Sequence, residues 1–130
     1  MSEPISEQRL LAAPMKGCGV ERTLQILDGK WTTLVLRELL TGPKRFTQLR
    51  AGLGSPSPKT LTDRLRVLEQ QGILTRTVHP EVPPRVVYEL TGRGESLRVV
   101  LLAMLDWGER DAAAGTRRGP VHPEGDRSTG

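Results

Sequence analysis

The segment Ser55 to Leu74, SPSPKTLTDRLRVLEQQGIL, concentrates hydrogen-bonding and basic groups on one side of a predicted helix. Hydroxyl, ammonium and guanidinium groups donate hydrogen bonds, and no nucleophile here stands beside a base that could activate it. Such a set suits recognition of a partner rich in acceptors and negative charge. The candidate residues are Ser57, Lys59, Thr60, Thr62, Asp63, Arg64 and Arg66.

The other side of this segment is apolar, and its ends carry helix signals. Leu61, Leu65 and Leu68 recur at i, i+4 and i+7, which makes one narrow stripe that must pack on something. Ser57 is a good N-cap, Pro58 suits the first helical position, and a glycine at position 72 suits a left-handed C-cap. The pattern predicts a helix whose leucines are buried and whose polar N-terminal half is exposed.

The positive charge is confined to the middle of the chain. The formal net charge is +4, and residues 43–93 hold nine Lys and Arg against four Asp and Glu, a local excess of five. The remaining segments are nearly neutral. A cationic segment is usually only a solvated face, so charge alone leaves nucleic acid as one possibility among several.

Length and composition exclude several classes of protein. A chain of 130 residues with one cysteine forms one domain without an internal disulfide. The two histidines each precede a proline and lack metal-ligand spacing, so we expect no metal and no cofactor. We expect no enzyme, because no nucleophile elbow, glycine-rich phosphate cradle or paired acids occur. No long apolar run or signal core is present, which predicts a cytoplasmic protein without membrane contact.

The order of elements predicts one folded domain, residues 15–114, between flexible tails at 1–14 and 115–130. Four helices come first, and the helix in VERTLQILDG should turn Leu24 and Leu27 inward. In the third helix, Thr47 should be the cap. ILTRTV and VVYEL then alternate as strands around a seven-residue loop, HPEVPPR. Thr91 should cap one long final helix.

This order is that of a winged helix-turn-helix, mainly α with a small β-hairpin wing (α+β), in which the fourth helix enters a DNA major groove. A polar outer side is ordinary for an isolated helix. The hairpin and the positive charge concentrated in residues 43–93 nevertheless favour a role in DNA binding. Arg76, His79 and Arg85 flank the wing loop, and Arg45 and Gln48 at the third helix suit phosphate contacts. The alternatives are that the wing loop is stable but has no function, and that the start of the third helix is only a solvated helix end.

Several motifs together resemble the HxlR family of bacterial winged helix-turn-helix regulators, over Cys18 to Gly108. They are CGVERTLQILDGKW, GPKRF, SPKTLTDRLRVLEQQGIL, PPRVVYELT and a late WG. The resemblance implies homodimers built from the terminal helices that bind roughly palindromic operators. Several family members sense electrophiles, oxidants or aromatic compounds, some through an N-terminal cysteine. Gly19, where the family often has proline, and Pro56, where an apolar residue is common, depart from the pattern.

The last helix is apolar on more than one stripe, wider than one small core requires. We therefore expect it to contribute the dimer interface, through Leu97, Leu101, Leu105 and Trp107.

The leading hypothesis is a homodimeric, sequence-specific regulator that binds double-stranded DNA, with repression favoured over activation. The alternatives are a winged-helix module for protein contact and a regulator that responds to a small molecule without thiol chemistry. The sequence does not identify the effector.

Cys18 is the candidate redox sensor, since it is the only cysteine and lies near the start of the first helix. The positive end of that helix and the nearby Lys16 and Arg22 would favour its thiolate, whereas Glu21 opposes them. The alternative is a small, buried, apolar side chain, because cysteine is among the most buried residue types.

Overall fold

Seven helices and three short strands make up the part of the chain that the structure, a computed structural model, describes, residues 5–118. In chain order these are α1 (Glu7–Leu11), α2 (Gly19–Ile26), α3 (Lys30–Leu39), β1 (Lys44–Arg45), α4 (Phe46–Gly52), α5 (Pro58–Gln70), β2 (Leu74–His79), β3 (Arg85–Leu90), α6 (Gly92–Glu95) and α7 (Arg98–Arg118). The prediction of a mainly helical fold with a β-hairpin wing is confirmed.

The core forms where α5 packs against α3 and the sheet. The predicted stripe of α5, Leu61, Leu65 and Leu68, is at most 2% exposed. On α3, Val35 and Leu36 meet it from the other side, both with no exposed surface. Because aliphatic burial is the main favourable term in folding, this packing fixes which side of α5 faces solvent.

The sheet has the strand order β1-β3-β2, and both pairings are antiparallel. The strand β1 was not predicted, because two residues are too few to show alternation. The predicted seven-residue loop was also too long. His79 pairs with Arg85 as the last rung of the ribbon, which leaves residues 80–84 as the loop.

Two of the early helices differ from the predictions. Leu27, the C-cap of α2, is buried as expected, but Leu24 on α2 is 60% exposed, so its predicted inward position was wrong. On α4, the predicted cap at Thr47 was also wrong. Arg45 occupies the N-cap position, and its backbone N–H donates to Oε1 of Gln48 at 2.8 Å. The helix therefore begins one residue before the threonine.

The predicted single final helix is two helices. Thr91 caps α6 as expected, since its Oγ1 accepts from the N–H of Gly94 at 3.1 Å. The same hydroxyl lies 3.0 Å from the carbonyl oxygen of Ile73, and a Cβ on Gly94 would overlap that oxygen. The chain then turns before α7, where Nη2 of Arg98 donates to the carbonyl of Leu40 at 2.8 Å. These bonds attach both terminal helices to the core.

The ends of the chain also differ in part from the predicted tails. Helix α1 lies within the segment predicted to be a flexible tail, residues 1–14, although all five of its residues are exposed. Helix α7 continues past the predicted domain end at residue 114 to Arg118. The rest of the predicted C-terminal tail, residues 119–130, lies outside the described residues.

Candidate nucleic-acid interface

The N-terminus of α5 is shaped by a local cap. Ser57 Oγ accepts from the backbone N–H of Thr60 at 3.1 Å and lies 2.9 Å from the Thr60 hydroxyl, to which it donates. Both hydrogen-bonding modes of the Ser57 hydroxyl are thus used within the helix start. The Thr60 hydroxyl keeps its own proton available for an outside acceptor.

The turn before α5 is held by an arginine of α4. Nε of Arg50 donates to the carbonyl of Pro56 at 2.6 Å, and the backbone carbonyl of Arg50 accepts from Ser55 at 2.8 Å. Ser55 itself has a φ of +61°, which is uncommon for a residue other than glycine. These bonds set the angle between α4 and α5. Sequence analysis missed the role of Arg50, because a bond from a side chain to a distant carbonyl leaves no periodic signal.

Lys59 and Asp63 form an ion pair on the exposed side of α5. The lysine Nζ lies 3.0 Å from Oδ2 of the aspartate, at i,i+4 spacing, and the lysine side chain is 85% exposed. The hydrogen bond from Lys59 lowers the pKa of Asp63, and the charges of Arg66 and Arg64 lower it further. Asp63 is therefore ionised at neutral pH and offsets part of the positive charge beside it.

A cleft of about 420 Å³ lies on the surface between α5 and the sheet, and two of the predicted arginines line it. Arg66 comes from α5 and Arg76 from β2, and both are exposed. Thr62 lines the same cleft from the helix side. Three of the predicted contact residues thus share one surface, whereas the half-buried Arg64 lies elsewhere on α5.

The wing presents a second basic surface. Arg45 and Arg85 line one cavity of about 380 Å³ between the wing loop and the start of α4. Nη2 of Arg85 lies 2.9 Å from Oε2 of Glu81, and this bond lowers the pKa of the Glu81 carboxyl. His79 is half-buried and pairs with Arg85 across the ribbon. Glu81 was missed by sequence analysis, because i,i+4 spacing across a loop gives no sign of contact.

The Gln48 side chain folds back to cap the start of α4. Its side-chain oxygen is used by the backbone N–H at the start of α4, so only its NH₂ group remains for an outside acceptor. A phosphate contact by Gln48 would therefore come through that amide nitrogen.

Cys18 occupies the N-cap position of α2 and is half-buried. Its side chain makes no capping hydrogen bond. The Glu21 carboxylate, in the first turn of α2, accepts from the backbone N–H of Gly17, so an acid lies close to this helix end. The thiol is thus neither fully exposed nor part of the core.

The four residues predicted for the dimer interface do not share one environment. Leu101 is only 4% exposed and belongs to the core of the protomer, so that part of the prediction was wrong. Leu97 packs against the core, Leu105 is half-buried, and Trp107 is 69% exposed. A turn at residues 96 and 97 precedes α7, on which Leu101 faces inward.

A different set of apolar side chains is exposed. Val20 and Leu24 of α2 are 69% and 60% exposed, and Met104 of α7 is 48% exposed. Together they line an apolar groove of about 380 Å³ between the two helices, whose floor includes Leu27 and Val100. We call this the α2/α7 groove.

In residues 5–118, no group of three or more His, Cys, Asp or Glu side chains is placed to hold a metal ion. No helix within the same range combines the length and apolar character needed to cross a membrane.

Known proteins resemble this chain in both sequence and architecture. The profile of the HxlR-like helix-turn-helix family matches residues 26–115. An uncharacterised HTH-type transcriptional regulator of Synechocystis is 48% identical over 99 residues, 73% of this chain and 73% of that protein. The solved structure of the redox regulator HypR in its oxidised form is 41% identical, with a TM-score of 0.68, over 72% of this chain and 96% of that one. The reduced transcriptional regulator YodB of Bacillus subtilis is 36% identical, with a TM-score of 0.63, over 72% and 92%.

Proposed function

Because the chain belongs to the HxlR-like helix-turn-helix family, and so is a transcriptional regulator of the helix-turn-helix type, we propose that it binds a palindromic operator as a homodimer and represses nearby genes. It would act in the cytoplasm and without catalysis. The observation that carries this proposal is the exposed polar side of α5, held beside the Arg66 and Arg76 cleft on one surface.

On this proposal α5 lies in the major groove. Thr60 and Thr62 would contact base edges, while Lys59 and Arg66 would contact phosphates, because short hydroxyl groups read bases at close range and long cationic side chains reach the backbone. Arg45 and Arg85 would hold the wing against the flanking phosphates or the minor groove.

Two arguments support the homodimer: the α2/α7 groove, and the small number of base pairs that one recognition helix contacts. One α5 helix reads too few base pairs for a specific site, and two-fold symmetry doubles the number read. The exposed Val20, Leu24 and Met104 would form a costly apolar patch on a monomer, and a second copy of the same groove would cover it. The half-sites should then lie about one helical turn apart.

For the effector, we propose that Cys18 responds to oxidants. Two similar proteins support this proposal: the redox regulator HypR has solved structures in its oxidised and reduced forms, and YodB has one in its reduced form. Cys18 thiols of two protomers would form a disulfide, losing two protons and two electrons to hydrogen peroxide, which becomes two molecules of water. The bond would strain α2 and change the spacing of the two α5 helices. A small-molecule effector without thiol chemistry is the alternative.

Selection of bound duplexes from a random pool, followed by sequencing, tests the DNA proposal directly. We expect an inverted repeat whose affinity falls steeply as salt rises, since phosphate contacts release counterions. Asp63 and Glu69 on the exposed side of α5 favour the competing function, a module for protein contact. Recovery of unrelated sequences with shallow salt dependence would support that module and overturn the operator proposal.

A further inference from the structure

A polar cleft of about 470 Å³ lies beside α2, on a side of that helix other than the apolar groove. Arg22, Gln25 and Ile26 line it from α2, at the spacing that brings residues onto one helix side. Arg93 of α6 and Leu97 line it from the opposite side. The remaining two residues are Thr23 of α2 and Gln71, the C-cap of α5.

Two arginines and one glutamine carry charged or unpaired polar groups at this cleft, and both arginines are exposed to solvent. In the described residues, no carboxylate lies within 4.0 Å of the guanidinium of Arg22 or Arg93. Arg93 donates to the backbone carbonyl of Gln71, but that bond uses only one of its five N–H groups. The side-chain oxygen of Gln71 is buried and has no hydrogen-bond partner among the same residues. A buried acceptor without a donor is uncommon and destabilising.

We propose that this cleft binds a small organic acid that combines a carboxylate, an apolar body and a hydroxyl donor. The two guanidinium groups would take the carboxylate, because arginine pairs with it through charge-assisted hydrogen bonds. Ile26 and Leu97 provide apolar surface for the body of the ligand. The hydroxyl would donate to the unpartnered oxygen of Gln71, which the side chain must first turn from its buried position toward the cleft. The volume lies within the usual range for small-molecule sites.

The position of the cleft suits an effector site. It joins α2, whose other side forms the α2/α7 groove, to the C-terminal end of α5 and to α6. A ligand that bridges these elements would bias the angle between α5 and the proposed dimer contact. This effector role depends on the proposed DNA-binding function, whereas ligand binding itself does not.

Calorimetric titration of the full-length protein without DNA tests the site, with 4-hydroxybenzoate and benzoate as probes. We expect saturable binding of both, with 4-hydroxybenzoate about fivefold tighter because it alone can donate to Gln71. Gln71→Leu should abolish that preference without lowering stability, since the acceptor it removes is unsatisfied. Arg22→Gln should weaken both probes about tenfold or more, because it removes a charge-assisted bond.

Arg9→Gln is the matched control, since it removes one positive charge from an exposed helix that does not line the cleft. Absence of saturable binding, or equal affinities in wild type and Arg22→Gln, would overturn the site. A second measurement concerns the operator. At a concentration near its dissociation constant for wild type, 4-hydroxybenzoate should change the operator affinity of wild type and have much less effect on that of Arg22→Gln. Binding without any change in operator affinity would overturn the effector role and leave both the site and the DNA-binding proposal standing.

Discussion

Individual side chains on the proposed DNA surface are paired with acids in the free protein. Asp63 holds Lys59 at 3.0 Å, and Glu81 holds Arg85 at 2.9 Å. Both pairs are accessible to solvent, so each contributes little to folding stability. On DNA, each cationic side chain would leave its carboxylate partner and contact a phosphate instead. The carboxylate would then lie unpaired near the negatively charged phosphates. The acids should therefore weaken DNA binding and limit non-specific attachment.

The Lys59 and Asp63 pair gives the first prediction. Lys59→Ala should weaken binding to all sequences and lower the salt slope by about 1 per protomer, or about 2 per dimer, because one phosphate contact is lost in each. Asp63→Asn should strengthen binding to all sequences, since it removes a competitor for the lysine. Fluorescence anisotropy across a salt series measures both effects.

Glu109→Gln, the same loss of charge on an exposed part of α7, is the control and should leave binding unchanged. A shift in base preference for Asp63→Asn, with an unaltered salt slope, would instead show that this carboxylate reads a base.

The Glu81 carboxyl gives a second prediction, which concerns pH. Arg85 lowers its pKa from 4.5, so the pair adds stability above pH 4.5, and this contribution is lost as pH falls through the lower pKa of the folded state. NMR titration of the side-chain carboxyl should show a midpoint below 4.5. In Arg85→Gln the midpoint should return toward 4.5, while that of Asp63 stays depressed. An unchanged Glu81 midpoint in this variant would show that Arg85 is not the cause.

Among the structural elements, α6 depends on one close approach between helix and sheet. Gly94 lies against the carbonyl of Ile73, at the end of the bond network made by Thr91. Gly94→Ala should lower the free energy of unfolding by about 1–3 kcal/mol, because the added methyl group meets a backbone oxygen that cannot move freely. Chemical denaturation measures this change.

Gly92→Ala, two residues earlier in the same helix, is the matched control. Nothing lies within 4 Å of a Cβ at that position. Alanine there should raise stability slightly, by about 0.5 kcal/mol, because glycine is the poorer helix former. Equal losses in both variants would mean that α6 does not rest on Ile73 in solution.

For the molecule as a whole, substitutions at buried and at exposed apolar residues should distinguish a loss of folding from a loss of dimerisation. Leu101→Glu should unfold the protein, since Leu101 is 4% exposed and a buried unpaired charge is severely destabilising. The double variant Leu24→Glu and Met104→Glu should instead give a folded monomer, because both side chains are about half exposed or more. Light scattering and circular dichroism distinguish the outcomes. Val82→Glu, at the fully exposed wing loop, should remain dimeric. A dimeric double variant would place the interface elsewhere.

The oxidant response is likewise a property of the whole dimer. Treatment with mild hydrogen peroxide should produce a dimer that is covalent on non-reducing gels and releases operator DNA, and dithiothreitol should reverse both effects. Cys18→Ser should keep its DNA binding under the same treatment. Equal loss of binding in wild type and Cys18→Ser, or no loss in either, would exclude the cysteine as the sensor.

Local patterns were sufficient for the central part of the fold. The leucine stripe of α5, its cap at Ser57 and the cap at Thr91 were read from the sequence and are present in the structure. Each depends on residues within one or two helical turns of each other, so the spacing along the chain carries the information. The polar side of α5 followed directly from the buried stripe.

Only the tertiary structure decided how distant segments meet. The exposed position of Leu24 and the buried position of Leu101 depend on how α2 and α7 rotate against the core, which periodicity on an apolar helix leaves undetermined. The two-residue β1 exists only because β3 offers it hydrogen bonds. The cleft that gathers Arg22, Gln71 and Arg93 joins residues 71 positions apart, from Arg22 to Arg93. Such contacts are set by three-dimensional packing, and no spacing rule along the chain encodes them.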